Sequence, residues 1–142
     1  MVDLSIRAAQ AHELPAILEF WQFAAENENR PADTPGALAA LRLRDSDALL
    51  VAVDGMDIVG TIIAGWDGWR CHLYRLAVAP GRRRAGIGRR LIAAAEERFR
   101  ALGGTRADAM VLDGNEQAHL IWAAAGYARQ DEWSRWVKPL SH

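Results

Sequence analysis

The chain has 142 residues, with 17 Lys and Arg against 18 Asp and Glu. The net charge of -1 supplies no bulk polycation to hold nucleic acid or a membrane surface without specificity, so any anion site must be local. Hydrophobic residues at 51% and charged residues at 25% exclude a disordered or fibrous chain, and the length suits one domain over residues 1–142.

The single cysteine, Cys71, excludes an internal disulfide and any zinc site that needs two thiolates, and no metal site is expected. It points to a reducing, cytoplasmic compartment. Met1 to Gln10 lacks the basic start and apolar block of an export signal, and no later run approaches the ~18 apolar residues of a membrane span. The chain is expected to be neither exported nor membrane-embedded.

Leu4, Ile6 and Ala8 alternate with polar neighbours, predicting a first strand. Leu14, Ile17, Leu18, Trp21 and Ala25 recur at helical spacing, with Glu13 near the start where the helix dipole favours a negative charge. Glu26 to Asp33 is polar and irregular. Thr34-Pro35 then offers an N-cap and a first-turn proline for a short helix to about Arg44. Ala48 to Val53, Ile58 to Gly65 and Cys71 to Ala79 are β-rich runs separated by Asp54-Gly55 and Asp67-Gly68, the steps that close hairpins, so a three-strand antiparallel meander is predicted.

After Pro80 comes a glycine- and arginine-rich turn. A helix marked by Leu91, Ile92, Ala95, Phe99 and Leu102 follows and stops at Gly103-Gly104. Ala107 to Leu112 reads as a further strand and Asn115 as the cap of a helix through Ala125. Tyr127 to Val137 can supply one or two closing strands. The order implies an α+β fold, an α/β sandwich. Its sheet is mixed and largely antiparallel, with six to seven strands flanked by about four helices.

The informative segment runs from Leu76 to Arg90. Gly86 and Gly88 open a helix directly after a strand, so backbone N–H groups can face a phosphate at close range with the helix dipole behind them. Leu91 stands where a dinucleotide fingerprint needs its third glycine, and no G-K-[ST] of a P-loop is present. The plainer alternative is an ordinary turn with solvated arginines. Cations at a helix N-terminus oppose the dipole by about a few tenths of a kcal/mol each, which argues for an expected anion.

Arg83-x-x-Gly86-x-Gly88, preceded by Leu76, Val78 and Pro80, resembles the acetyl-CoA signature of the GNAT acetyltransferases. Asn115-x-x-Ala118 and Gly126-Tyr127 are similar to the family's second motif, and Gly65-Trp66-Asp67-Gly68 to a hairpin of a bacterial subgroup. The resemblance covers nearly the whole chain. It implies the GNAT fold, with a splayed sheet and the pantetheine arm of acetyl-CoA beside the strand that ends at Val78.

Backbone groups of Leu76, Ala77 and Val78 are then expected to pair with pantetheine, the Val78 N–H acting as oxyanion donor. Amides of Arg83, Arg84, Ala85, Gly86, Ile87, Gly88 and Arg89 are expected to hold the pyrophosphate. Asn115 either bonds the cofactor or caps its helix, two roles that do not exclude each other.

The implied reaction is direct attack of an amine on the thioester in a ternary complex. It needs a base, and His72 occupies a position where the family often places a carboxylate. Its alternative is a strand histidine that packs or faces solvent. Tyr74 shares its face by strand alternation, while Cys71 alternates to the other face as a core thiol. Trp122 takes the place of the family's tyrosine acid. Its indole N–H can donate a hydrogen bond, so Trp122 is expected among the cofactor-binding residues, but it is no acid at neutral pH, and losing a general acid costs about 10² to 10⁴ in rate.

Glu26, Glu28 and Asp67, with Trp66, Trp69, Trp133 and Trp136, are expected to border a cleft for a cationic amine. They read equally as loop solubility residues, sheet packing or a homodimer face. Three functions follow: an acetyl-CoA-dependent N-acetyltransferase acting on a small-molecule or protein amine, a non-catalytic acyl-CoA-binding module, and a nucleic-acid binder using Arg82 to Arg90. The net charge disfavours the last.

Overall fold

The computed structural model describes residues 4–25, 27, 30–83 and 85–141. Alternation builds β1 (Leu4–Ala8), which pairs antiparallel with β2 (Leu49–Asp54). The two Asp-Gly steps close the hairpins from β2 to β3 (Asp57–Trp66) and from β3 to β4 (Cys71–Val78). β5 (Ala107–Ala109) joins parallel to β4, giving one sheet in the order β1-β2-β3-β4-β5.

Helices cover both faces. α1 (Leu14–Ala24) and α2 (Pro35–Arg44) bury Ile17, Phe20, Trp21 and Leu38 against Leu49, Val51 and Ala77. On the other face α3 (Ile87–Leu102) and α4 (Glu116–Ala124) pack Leu91, Ile92, Ala95, Phe99 and Trp122 against Ile62, Leu73 and Val78. The expected caps form: Thr34 Oγ1 accepts from the Ala37 N–H at 3.1 Å, and the backbone turns left-handed at Gly103 to end α3.

The sheet has five strands among the described residues, not six to seven. β5 stops at Ala109 instead of Leu112, because the Asn115 N–H donates to Leu112 O at 3.0 Å and draws that segment into the turn before α4. Residues 127–141 form no strand. Trp133, Trp136 and Val137 are exposed there, so the segment has no buried face to hold an extended pairing.

β4 carries a β-bulge. Thr61 lies opposite Ala77 and Ile63 opposite Tyr74, so Arg75 and Leu76 together face Ile62 alone. Arg75 has φ +52°, the one positive φ at a non-glycine among the described residues, a conformation that costs on the order of 1–3 kcal/mol. A buried relay holds it: the Trp21 Nε1–H donates to Thr61 Oγ1 at 2.8 Å, and that hydroxyl donates to the Arg75 carbonyl at 2.9 Å. Pairing of β4 with β5 ends at Leu73 and Ala109, so residues 74–78 have β3 on one side and no strand on the other.

At the far edge of the sheet Arg7 grips Glu13 with two hydrogen bonds of 2.8 and 2.9 Å, while the Gln10 N–H donates to the same carboxylate at 2.8 Å. The Arg7 contact holds the Glu13 carboxyl down at about 2. A carboxyl depressed in the folded state stabilises fully above its unfolded value of 4.5 and loses that contribution as pH falls through about 2. Thermal unfolding should therefore show Glu13→Gln less stable than wild type at neutral pH, with the difference closing toward pH 2. A difference independent of pH would refute this linkage.

Candidate active site

The bulge turns the exposed edge of β4 into a row of hydrogen-bonding groups. The Ala79 N–H donates to Val59 O at 2.9 Å and Ala77 pairs with Thr61, so these alternate residues direct their backbone groups to β3. Leu76 and Val78 direct theirs the other way, toward the side that β5 has left. Val78 O accepts there from Arg83 Nε at 3.3 Å. The amides of Leu76 and Val78 thus face the side with no partner strand, where an extended amide-bearing ligand can complete the ladder.

The start of α3 packs beside that edge, a Cβ on Gly88 falling 3.7 Å from Val78 Cγ2. Gly86 is the N-cap at φ +80°, with no side-chain cap, and the first backbone bond of the helix runs from the Arg90 N–H to Gly86 O at 3.1 Å. The N–H groups of Ile87, Gly88 and Arg89 therefore have no acceptor within the helix. A Cβ at Gly86 would meet nothing within 4 Å, so the space before these donors is open. Arg89 is exposed beside it, the Arg83 guanidinium is engaged by the Val78 and Ala24 carbonyls, and Arg82 is held by Asp54 at 2.6 Å. Open amides at a helix N-terminus with guanidinium groups beside them meet the needs of a phosphate.

A cleft of about 550 Å³ that shares Arg83 with this end of the site lies between Phe23 and Ala24 of α1 and Leu112, Asn115, Glu116 and Gln117 at the start of α4. Arg83 Nη2 donates to Ala24 O at 3.4 Å across its floor. Asn115 Oδ1 accepts from the Ala118 N–H at 3.1 Å, the capping role. Trp122 points into the core, edge-on to Tyr127 with ring centroids 5.0 Å apart. Tyr127 in turn donates to Glu96 at 2.8 Å, and burial raises its phenol further from neutrality.

The β3–β4 hairpin carries the second cluster. His72 and Tyr74 share the face opposite α3, their ring centroids 6.3 Å apart. His72 Nδ1 lies 2.8 Å from Asp108 Oδ1, and Nε2 3.7 Å from Asp67 Oδ2. An ionised carboxylate can only accept, so the bond to Asp108 places a proton on Nδ1, with Nε2 on the side of Asp67. Asp67 accepts from the N–H groups of Trp69 and Arg70 at 2.8 and 2.6 Å, and these bonds hold its carboxyl below the usual range. Burial raises both the Tyr74 phenol and the Cys71 thiol, Cys71 lying in the core on the other face.

The expected residues thus fall into two groups, one at each end of β4. Leu76, Val78, Gly86, Ile87, Gly88 and Arg89 gather at the C-terminal end of β4 with Arg83, Ala85 and Asn115; His72, Tyr74 and Asp67 gather at its start. Ala77 turns its backbone to β3 instead. Glu26, Glu28 and Arg84 lie outside the described residues. One face of the exposed Trp69 ring is already taken by Arg70, whose Cζ sits 4.0 Å from the centroid. Asp108 was not anticipated: it stands 36 positions from His72 and meets it only through the parallel pairing of β5. Among the described residues, no helix is long and apolar enough to cross a membrane.

The sequence model of the acetyltransferase (GNAT) family matches residues 11–127. An acetyltransferase of Pectobacterium atrosepticum is 31% identical over 114 residues, covering 80% of this chain and 79% of the relative. Among solved structures, Ard1 of Thermoplasma volcanium superposes with a TM-score of 0.78 at 18% identity, covering 89% of this chain and 84% of that one. The structure of yncA from Salmonella typhimurium, solved with its cofactor acetyl-CoA, gives 0.74 at 19% identity over 88% of this chain and 79% of that one. These two similarities show the fold.

Seating of the cradle depends on Gly60 of β3. A Cβ there would come within 2.8 Å of Leu91 Cδ1 and 3.0 Å of Ile87 Cγ2, both in the packed first turns of α3. Gly60→Val should therefore cost about 1–3 kcal/mol, read as a lower urea midpoint at unchanged slope. An unchanged midpoint would show that α3 is not seated on this glycine.

Proposed function

On the premise that this chain belongs to the acetyltransferase (GNAT) family, we propose that it moves the acetyl group of acetyl-CoA to a primary amine by direct attack in a ternary complex, on a small molecule or a protein. The observation that carries this reading is the unpaired edge of β4 beside three open amides of α3. Acetyl-CoA supplies an activated acetyl thioester on a pantetheine arm that ends in phosphates. The residues present fit both halves: the Leu76 and Val78 amides suit the arm, and the Ile87, Gly88 and Arg89 amides with Arg83 suit the pyrophosphate.

Two N–H groups on the open edge can take the oxyanion role expected of Val78. The Leu76 N–H stands two residues closer to His72, about 7 Å along the strand, and is the better placed donor. His72 Nε2 takes the proton of the incoming ammonium through a water, while Asp108 keeps Nδ1 protonated and the ring in one orientation. Asp67 lies on the Nε2 side, where it stabilises the imidazolium and attracts a cationic amine. Tyr74, half-exposed on the same face, is the candidate proton donor to the leaving thiolate.

Trp122 favours a second reading. The residue in the place of the family's tyrosine acid is packed in the core, which suits a non-catalytic acyl-CoA-binding module with the same fold. Turnover separates the two readings. Acetyl-CoA titrated calorimetrically should bind one to one, bind in Gly86→Ala with modest loss from strain, and fail in Gly86→Glu, whose carboxylate faces the cradle. Thiol release over a panel of amines should follow, falling about 10²-fold or more in His72→Ala. Asp108→Asn should shift its pH profile. Binding without release would establish the module; no binding by wild type would reject both readings.

A further inference from the structure

Arg75 combines two costly features: it is the one charged side chain among the buried described residues and the one non-glycine at positive φ. Neither is needed to build a bulge, since glycine takes this conformation without strain and Thr61 already holds the carbonyl. The guanidinium is committed elsewhere. Nη1 donates to Asn27 Oδ1 at 3.0 Å, Nε to Asp33 Oδ1 at 3.3 Å and Nη2 to Asp33 Oδ2, with Cζ 5.1 Å from the centroid of the Trp21 ring. Asn27 Nδ2 donates in turn to Trp21 O at 3.1 Å.

The connection between α1 and α2 contains Glu26 to Asp33, a run with no large apolar side chain to anchor it. The planar fork of Arg75 reaches two of its residues, six positions apart, from the floor of the sheet. We propose that Arg75 is a positioning residue: its backbone sets the unpaired edge of β4, and its guanidinium holds Asn27 and Asp33 in place as part of the border of the amine acceptor. This rests on the acetyl-transfer reading, in which that connection borders the acceptor.

Arg75→Gly keeps the bulge and removes the fork, and Arg75→Lys keeps the charge without the fork. In both, amide exchange over residues 25–34 should quicken about tenfold or more while α3 is unchanged. Acetyl-CoA affinity should stay within about threefold of wild type. For the amine turned over fastest in the panel, KM should rise about tenfold with kcat within about threefold. Unchanged exchange over residues 25–34, exchange raised throughout the chain in both variants, or a fall in kcat alone would overturn the assignment. Failure of wild type to bind acetyl-CoA would sink the acetyl-transfer reading alone, and loop exchange would still decide whether Arg75 holds the connection.

Discussion

A single extra residue in β4 is the constraint on which the site depends. Side chains alternate along a strand, so inserting Arg75 opposite no partner of its own reverses which face each later residue meets. Before it, Cys71 and Leu73 enter the core under α3 while His72 and Tyr74 face away; after it, Leu76 and Val78 enter that same core. The bulge also follows directly on the last pair with β5, so the backbone of Leu76 and Val78 has no neighbouring strand. The relay from Trp21 through Thr61 to the Arg75 carbonyl offsets strain of about 1–3 kcal/mol with hydrogen bonds made away from water.

Electrostatics divides the strand into an anion end and a cation end. At the C-terminal end the open amides of α3 stand beside Arg83 and Arg89, and Asp54 holds only Arg82. At the start, Asp67 and Asp108 flank one imidazole. A ligand with phosphates at one end and a thioester at the other can lie along such a strand, with its reactive end toward the carboxylates. Because β4 runs between the two ends, their separation is set chiefly by strand geometry.

Much of this was legible before any coordinates. The Asp-Gly steps, Thr34-Pro35 and the glycines around α3 act through local backbone preferences, and each did what those preferences demand. The family resemblance was carried by the same kind of local signal. Asp108 and the Arg75 contacts were not legible, because their partners lie 36 to 48 positions away and depend on strand register. Nor does Arg75 announce a left-handed conformation, which glycine or asparagine would have signalled. The closing strands failed for the opposite reason: Trp133 to Val137 has strand-forming residues but no packed face to receive them.

In the proposed function the β4 edge bared by the bulge receives the pantetheine arm. Amide exchange of residues 74–79, followed by mass spectrometry with and without saturating acetyl-CoA, reads this contact. Marked slowing is expected there, together with slowing at 86–90. Binding that protects 86–90 and leaves 74–79 unchanged would contradict it, since the phosphates would then be held while the strand edge stayed bare.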